Sequence, residues 1–137
     1  MDGRLLDRMF VYGTLRRGER AWCQIEPYAA ASEPARCRGT MVAFDRGYPG
    51  LRLAGEVVIT GELITLTDVA AALAWLDDYE GDEFTRREID VETAAGPVRA
   101  WVYAVEAPAV MAAGTPVPGG DWVAYRLATY GVAQPAK

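Results

Sequence analysis

One segment, residues 57–81, contains the strongest secondary-structure signals in the chain and has the sequence VVITGELITLTDVAAALAWLDDYEG. Its first part is rich in β-branched and apolar residues and predicts a strand, in which Gly61 indicates a bulge or a close backbone approach. Thr67 is the expected N-cap of the next helix, with Asp68 in its first turn, and Gly81 is the expected C-terminal stop. The segment therefore predicts a strand followed directly by an amphipathic helix.

Shorter patterns extend this architecture in both directions. The predicted elements are strands at 9–12, 38–45, 84–93 and 98–105, turns at 47–50 and 94–97, a helix limited by Pro27 within 19–30, a surface connection at 107–120, and a last helix at 121–130 ended by Gly131. Most adjacent strands are joined too tightly for parallel crossovers, so we expect a largely antiparallel or mixed sheet. About six strands around one core predict an α+β fold, a curled sheet or small barrel with helices packed outside, forming a single domain over residues 1–137.

The composition excludes several kinds of catalyst. The 137 residues are 51% hydrophobic and 24% charged, as expected for one soluble globular domain, and they include no histidine. A Ser-His-Asp triad, a Cys-His dyad and a His-ligated zinc site are therefore excluded. If the protein is an enzyme, its proton carrier must be a carboxylate, a tyrosine, a cysteine or an amine.

The charge balance limits the partners. A net charge of −5 gives no electrostatic support for binding nucleic acid or an anionic membrane, so a small-molecule or protein partner is expected.

Lys137 is the only lysine, which argues against Schiff-base chemistry and a Walker-type phosphate loop. Cys23 and Cys37 fit neither a CxxC motif nor a zinc cage. Residues 1–10 are too charged for a signal peptide, and no apolar run spans a bilayer, so we expect a cytoplasmic protein.

Carboxylates are concentrated at the junction of the predicted helix and the next strand. Three interpretations are open: a solvated helix end, a calcium loop, or one inward-pointing acid/base among exposed neighbours. The ligand spacing of an EF-hand is absent. Glu80 lies on the predicted buried stripe of the helix, four residues after Leu76, whereas Asp77 and Asp78 turn outward. The cluster consists of Asp77, Asp78, Glu80, Asp82 and Glu83.

A glycine directly follows the first predicted strand, in the loop Tyr12-Gly13-Thr14-Leu15-Arg16. Such a glycine allows successive backbone amides to approach a ligand and to form a pocket for a carboxylate or an oxyanion. The alternative interpretation is an ordinary turn. Tyr48, in the predicted turn 47–50, is likewise either a residue that closes a pocket and contacts substrate or a cap on the core.

Taken together, these segments resemble the gamma-glutamylcyclotransferase-like superfamily, in order and at fitting intervals over most of the chain. The resemblance rests on residues 10–18 (FVYGTLRRG), 47–49 (GYP), 58–63, 75–80 (WLDDYE), Arg86 and 120–122 (GDW). The similarity is greatest to the gamma-glutamylamine cyclotransferase branch, which carries Tyr-Gly-Thr-Leu where the branch acting on gamma-glutamyl amino acids carries Tyr-Gly-Ser-Asn. It implies a mixed β-barrel flanked by helices, with no metal and no organic cofactor.

The resemblance also implies roles for individual residues. The loop formed by Tyr12, Gly13, Thr14 and Leu15 would hold the α-carboxylate and carbonyl end of a gamma-glutamyl group, and Glu80 would be the catalytic carboxylate that helps to release 5-oxoproline and a free amine. Phe84 departs from the family, which often has a tyrosine at this position, so a hydroxyl is lost there. The rival interpretation is a non-catalytic member that keeps the barrel as a small-ligand or partner-binding module. A third possibility is an enzyme that uses the same chemistry to remove a gamma-glutamyl protecting group from a biosynthetic intermediate with a bulkier leaving amine.

Overall fold

The computed structural model describes residues 6–131, which contain six strands, three α-helices and two short 3-10 turns. The strands are β1 (Arg8–Val11), β2 (Ala29–Phe44), β3 (Tyr48–Leu66), β4 (Thr85–Thr93), β5 (Gly96–Ala104) and β6 (Thr115–Pro116). The helices are α1 (Val69–Glu80), α2 (Pro108–Ala112) and α3 (Trp122–Tyr130), and the 3-10 turns are Trp22–Gln24 and Glu26–Tyr28. No helix within residues 6–131 is long and apolar enough to cross a membrane.

The sheet closes on itself. Its strand order is β3-β1-β5-β4-β2-β6, and an additional β2–β3 pairing joins the two sides, so that β1 to β5 form a closed barrel with β6 attached to β2. β1 runs parallel to β5 and antiparallel to β3, and the remaining pairs are antiparallel. The predicted α+β fold with a mixed, largely antiparallel barrel is therefore confirmed.

The two faces of the barrel wall are buried in different places. Phe10 of β1 points into the barrel interior, where it joins Leu63 and Trp122, while its neighbour Met9 packs on the outside against Leu73 and other residues of α1. This separation follows from the period-2 alternation of a strand. α1 therefore covers the outer face of the sheet at β1, which brings the C-terminal end of the helix close to the C-terminal end of that strand.

The turn predicted at 47–50 is displaced. The chain reverses at 45–47, where the Gly47 amide donates to the Phe44 carbonyl at 2.9 Å, and Tyr48 already pairs with Phe44 in β3. Gly47 has a φ of +92°, the left-handed conformation that the turn requires. Because this one residue completes the reversal, Pro49 and Gly50 belong to the strand.

The start of α1 is also corrected. Asp68, with a φ of +48°, is the N-cap residue, and Thr67 lies outside the helix. The Thr67 amide and hydroxyl both donate to the Tyr28 carbonyl, at 2.7 and 3.2 Å, so its side chain is already engaged. The predicted stop at Gly81 is confirmed by a φ of +76°.

The segment predicted as a surface connection, 107–120, contains α2 and β6. β6 pairs with Val42 and Ala43 of β2. The Ala-, Pro- and Gly-rich composition of the segment gave no indication of this long-range strand pairing. The last helix agrees with the prediction: the Asp121 side chain accepts a hydrogen bond from the Ala124 amide, and Gly131 ends α3 in the left-handed conformation.

Candidate active site

A cavity of about 390 Å³ opens where β1 ends and the chain enters the loop at residues 12–18. Its walls come from this loop, the first 3-10 turn, the start of β3, the end of α1 and β5. All the site residues predicted from the sequence line it, namely Tyr12, Gly13, Thr14, Leu15, Tyr48 and Glu80. The structure thus brings into one cavity residues that are separated by up to 68 positions in the sequence (80 − 12).

The loop keeps a set of backbone donors free. Gly13 is required here, because a Cβ at this position would lie 2.5 Å from Cγ of Pro49. The Arg16 amide donates to the Gly13 carbonyl at 3.0 Å and the Ala21 amide to the Thr14 carbonyl at 2.9 Å, which folds the loop back on itself. Within residues 6–131 the amides of Gly13, Thr14 and Leu15 donate to no other protein group. They are therefore available to a ligand oxygen.

Polar contacts fasten this loop to the barrel and to α3. Arg16 bonds Glu62 of β3 at 3.1 Å and Asp121, the N-cap of α3, at 3.4 Å, and the Arg17 amide donates to Glu62 at 2.8 Å. Glu19 forms a bidentate pair with Arg126 of α3 at 2.7 and 2.8 Å, and both side chains are buried. Sequence reasoning missed these anchors because the partners are distant in sequence and only the folded chain pairs them.

Glu80 is the last residue of α1 and faces the cavity, as the position of the buried stripe predicted. Among residues 6–131 its carboxylate forms no ion pair and accepts no hydrogen bond. Burial raises the pKa of this carboxyl from its ordinary value of 4.5 to about 7. A carboxyl group with such a pKa can both accept and donate a proton near neutral pH.

Asp77, three residues earlier, has a different environment. It was predicted to face outward, and its side chain is 44% exposed, but its carboxylate receives two hydrogen bonds from Arg86, at 2.8 and 3.1 Å, and one from the Tyr103 hydroxyl at 2.7 Å. The Arg86 hydrogen bond lowers the pKa of Asp77. The two carboxyl groups of one helix turn therefore differ: Asp77 is held ionised, and Glu80 titrates near neutrality.

Two tyrosines form the inner wall. The Tyr12 hydroxyl donates to the Tyr103 carbonyl at 2.7 Å, and burial raises the pKa of Tyr12 well above its ordinary value. Tyr12 therefore stays protonated, with its proton engaged by the protein, and contributes a fixed wall. Tyr103 was not among the residues predicted from the sequence. The alternation of β5 could have identified it, because that alternation places Tyr103 on the face opposite Val102, which is the face toward α1.

Aromatic and charged side chains form the cavity mouth. The Tyr48 hydroxyl donates to Glu83 at 3.0 Å, and its ring lies 6.1 Å from that of Phe84, between centroids. Nη2 of Arg20 donates a hydrogen bond to the Arg46 carbonyl at 3.3 Å. Both contacts hold the turn between β2 and β3 at the edge of the cavity. Arg20, like Tyr103, was not identified from the sequence.

In the part of the chain that the structure describes, no group of three or more His, Cys, Asp or Glu side chains is arranged to hold a metal ion. Cys23 and Cys37 are free thiols, and Cys23 is exposed at the cavity. Burial raises the pKa of Cys37 to about 12, so this thiol stays protonated. The titratable group of the cavity that changes charge near neutral pH is Glu80.

A barrel in which the same cavity is lined both by a loop with unpaired amides and by one carboxyl of raised pKa is suited to acid/base chemistry at a carbonyl group. The chain belongs to the family described as "Gamma-glutamyl cyclotransferase, AIG2-like", whose sequence profile matches residues 9–124. This confirms the superfamily predicted from the sequence motifs.

Individual relatives agree with this assignment. The chain is similar to gamma-L-glutamyl-butirosin B gamma-glutamyl cyclotransferase of Niallia circulans, with 31% identity over 110 residues that cover 75% of this chain and 70% of the relative. Its fold is similar to that of YkqA from Bacillus subtilis, with a TM-score of 0.75 and 24% identity; the match covers 93% of this chain but only 44% of YkqA. A mouse AIG2-like protein gives a TM-score of 0.70 with 20% identity over 98% of both chains. Family and relative together support a cyclotransferase enzyme.

Proposed function

We propose that this protein converts a gamma-glutamyl amine or amide to 5-oxoproline and the free amine. The observation that carries the proposal is the pairing, in one cavity, of the titratable Glu80 with the unoccupied amides of Gly13, Thr14 and Leu15. A cyclisation of this kind needs a proton carrier and an oxyanion site and no further nucleophile, because the attacking amine belongs to the substrate.

The reaction balances with Glu80 as the only proton carrier. The Glu80 carboxylate accepts a proton from the substrate α-ammonium, and the freed amine attacks the gamma-carbonyl carbon, which forms the ring C–N bond and an oxyanion. The protonated Glu80 donates its proton to the leaving nitrogen as the oxyanion collapses and the bond between the gamma-carbon and that nitrogen breaks. The Glu80 carboxylate then accepts the second proton of the ring nitrogen and passes it to the released amine, which leaves as an ammonium ion, so the enzyme returns to its starting state.

The loop supplies orientation and charge stabilisation. Holding the tethered amine and carbonyl in the attacking conformer can contribute up to roughly 7–11 kcal/mol in favourable systems. Each amide donor to an oxyanion is worth about 2.7–4 kcal/mol where it has been measured. The anchors through Glu62, Asp121 and Arg126 would keep these amides in place before substrate arrives, so little reorganisation would be needed during the reaction.

A matched pair of variants tests the role of Glu80. Glu80→Gln removes the proton carrier, whereas Asp78→Asn makes the same change in an exposed neighbour outside the cavity. We expect the first to lower kcat by about 10²- to 10⁴-fold, the usual contribution of general acid–base catalysis, and the second to leave it unchanged. The assay is release of 5-oxoproline from a panel of gamma-glutamyl amines, with the fold of each variant checked by circular dichroism.

Two results would contradict the proposal. A folded Glu80→Gln protein that releases 5-oxoproline at the native rate would remove Glu80 from the mechanism. A wild-type protein that binds gamma-glutamyl compounds, as seen by calorimetry, but releases no 5-oxoproline from any of them would instead identify a non-catalytic binding module.

A further inference from the structure

The last turn of α1 is fixed to the barrel by one carboxylate. Asp77 receives two hydrogen bonds from Arg86 of β4, at 2.8 and 3.1 Å, and one from the Tyr103 hydroxyl of β5, at 2.7 Å. In the part of the chain that the structure describes, no other side chain of α1 hydrogen-bonds to a strand. The helix otherwise packs on the barrel through apolar side chains such as Leu73 and Leu76. Apolar packing is not directional, so the three hydrogen bonds define the orientation of the helix end.

The guanidinium of Arg86 is itself held in place. Its central carbon lies 4.4 Å from the centroid of the Trp101 ring, in a cation–π contact, and Nε1 of Trp101 donates to the Leu6 carbonyl at 2.8 Å. The β4–β5 register places Arg86 directly opposite Tyr103, so both donors reach the same carboxylate from adjacent strands. A stacked, bidentate guanidinium has a fixed geometry, and it therefore holds Asp77 in one orientation.

The residues that this contact holds line the cavity, although Asp77 and Arg86 themselves do not. Glu80 lies three residues after Asp77, in the same last turn of α1. Tyr103 also lines the cavity, and its backbone carbonyl accepts the hydrogen bond of the Tyr12 hydroxyl at 2.7 Å. One carboxylate outside the cavity thus connects the proposed proton carrier to the inner wall.

The environment of Glu80 depends on where the helix end lies. Burial is the cause of its pKa of about 7, so an outward movement of the last turn would let water reach the carboxyl and lower its pKa toward 4.5. The other titratable or charged side chains that line the cavity come from all the surrounding elements and are Tyr12, Arg20, Cys23, Tyr48, Tyr79 and Tyr103. The pKa values of the four tyrosines are raised, so none of them titrates near neutral pH.

We infer, building on the proposed function, that Asp77 is a positioning residue of the reaction: with Arg86 and Tyr103 it fixes the end of α1, so that Glu80 points into the cavity and not into solvent. Asp77 takes no part in proton transfer, because its carboxylate is occupied by three donors outside the cavity. Loss of the contact should affect kcat more than KM, since the loop that would hold the substrate is anchored separately, to β3 and α3.

Two variants with opposite changes in charge test this role. Asp77→Ala leaves the Arg86 cation unpaired, and Arg86→Met leaves the Asp77 carboxylate unpaired. If the contact acted only through charge, the first variant would lower the pKa of Glu80 and the second would raise it. Release of the helix end should lower this pKa in both variants, by about one unit or more, because water then reaches the carboxyl group. The pKa is read from the carboxyl-carbon NMR resonance of Glu80, assigned by comparison with Glu80→Gln.

Release of 5-oxoproline supplies the second measurement. We expect kcat at alkaline pH to fall in both variants, by up to about 10²-fold, as is typical when a reacting group is misplaced. The acid limb of kcat/KM should move to lower pH together with the Glu80 resonance. Tyr103→Phe removes one of the three hydrogen bonds and should give a smaller change in the same direction. A mere loss of folded protein would lower the rate without moving the limb.

Glu106→Ala is the matched control. The Glu106 carboxylate also receives two hydrogen bonds from an arginine of β4, Arg87, at 2.6 and 2.7 Å, but this pair is exposed and does not line the cavity. The variant therefore breaks a contact of the same kind without touching the end of α1. It should keep the wild-type kcat, the wild-type pH profile and the wild-type titration of Glu80.

The outcomes separate the positioning role from the proposed function. A Glu80 resonance that titrates as in wild type in both variants, or that shifts in opposite directions, would overturn the positioning role and leave the cyclotransferase standing. A lower kcat with an unmoved acid limb would also overturn it, because Glu80 would then have kept its place. Absence of 5-oxoproline from every gamma-glutamyl compound offered to the wild-type protein would overturn the proposed function, and with it the role of Asp77 in that reaction.

Discussion

At the scale of single residues, the burial of Glu80 has opposite consequences for stability and for catalysis. Its folded-state pKa of about 7 lies above the ordinary value of 4.5, so the folded protein binds this proton more tightly than the unfolded chain does. The stabilisation that this proton provides is complete below about pH 4.5 and is lost as the pH rises through 7. At neutral pH and above, the folded protein therefore carries an unfavourable buried charge.

Glu80→Gln is accordingly expected to stabilise the protein while it inactivates it. Above pH 7 the gain in free energy of unfolding should approach about 2–3 kcal/mol, since each unit of pKa shift corresponds to about 1.4 kcal/mol. The gain should shrink between pH 8 and pH 5. Urea unfolding of wild type and variant at both pH values measures it, with Asp78→Asn as the reference. A difference that does not depend on pH would show that the buried charge is not its source.

The same pKa predicts the acid limb of the rate profile. Glu80 must be ionised to accept the substrate proton, so kcat/KM should rise with pH through about 7. An ordinary exposed glutamate would place this limb near 4.5. Measurement of 5-oxoproline release from pH 5 to 8 tests the assignment, and an acid limb at the ordinary value would contradict it.

Helical periodicity was enough to predict that Glu80 faces inward, because burial of one helix face is a local property of the sequence. The contacts around Asp77 were not predictable in this way. Asp77 binds Tyr103 and Arg86, which come from different strands, and the β4–β5 register places these two directly opposite each other. Side-chain contacts of this kind depend on strand register, which no local pattern specifies.

At the scale of elements, Gly61 controls how closely β3 approaches β1. A Cβ at this position would contact the Val11 carbonyl oxygen and lie 2.7 Å from Cζ of Phe10. This agrees with the close approach predicted from the sequence. Val11 is the residue immediately before the site loop, so a displacement of β1 here would move Tyr12 and the free amides.

Gly61→Ala is therefore expected to lower both stability and activity. Overpacking of this kind typically costs about 1–3 kcal/mol in unfolding free energy, and the shifted loop should lower kcat more than it raises KM. Gly119→Ala is the control, since nothing lies within 4 Å of the added methyl group and the backbone there is not left-handed. If both variants unfold at the same urea concentration and have the same kcat, the close approach of β3 to β1 contributes neither to stability nor to activity.

Most elements were predicted, but the helix expected within 19–30 is two 3-10 turns, and β2 begins at Ala29 rather than at residue 38. The hairpin of β4 and β5, α1 and α3 all occur where the pattern placed them, but the turn before β3 and the N-cap of α1 moved by one or a few residues. In both cases a specific contact determined the end: Phe44 pairs with Tyr48 directly across the hairpin, and Thr67 donates a hydrogen bond to the Tyr28 carbonyl. Local propensity identifies which segment forms an element, while tertiary contacts determine where that element begins.

At the scale of the whole molecule, the barrel class followed from strand count and short connections, but the strand order did not. β1 lies between β3 and β5, and the parallel β1–β5 pair joins residues 92 positions apart, Met9 and Trp101 (101 − 9). The Glu19–Arg126 pair spans a still longer separation, 107 positions, and fastens the site loop to α3. The last helix of the described chain thus anchors the site loop without lining the cavity itself.

This buried pair is the strongest candidate for a long-range contact with a large energetic effect. The side chains of Glu19 and Arg126 are 6% and 8% exposed. Removal of either one therefore leaves the other as an unpaired buried charge, which typically lowers the free energy of unfolding by about 3–5 kcal/mol. Glu19→Met and Arg126→Met should each lower the free energy of unfolding by an amount in this range. The double variant contains no unpaired buried charge, so its loss should be much smaller than the sum of the two single losses. Urea unfolding of the four proteins measures the coupling.

The exposed pair Arg87–Glu106 provides the matched control. It has the same bidentate geometry, at 2.6 and 2.7 Å, but its side chains are 51% and 45% exposed, and exposed pairs contribute about 0–1 kcal/mol. The same methionine cycle there should show little coupling. If the coupling at Glu19–Arg126 were equally small, the pair would not hold the loop to α3. A large coupling together with a lower kcat in the stable double variant would show that α3 positions the amides of the site.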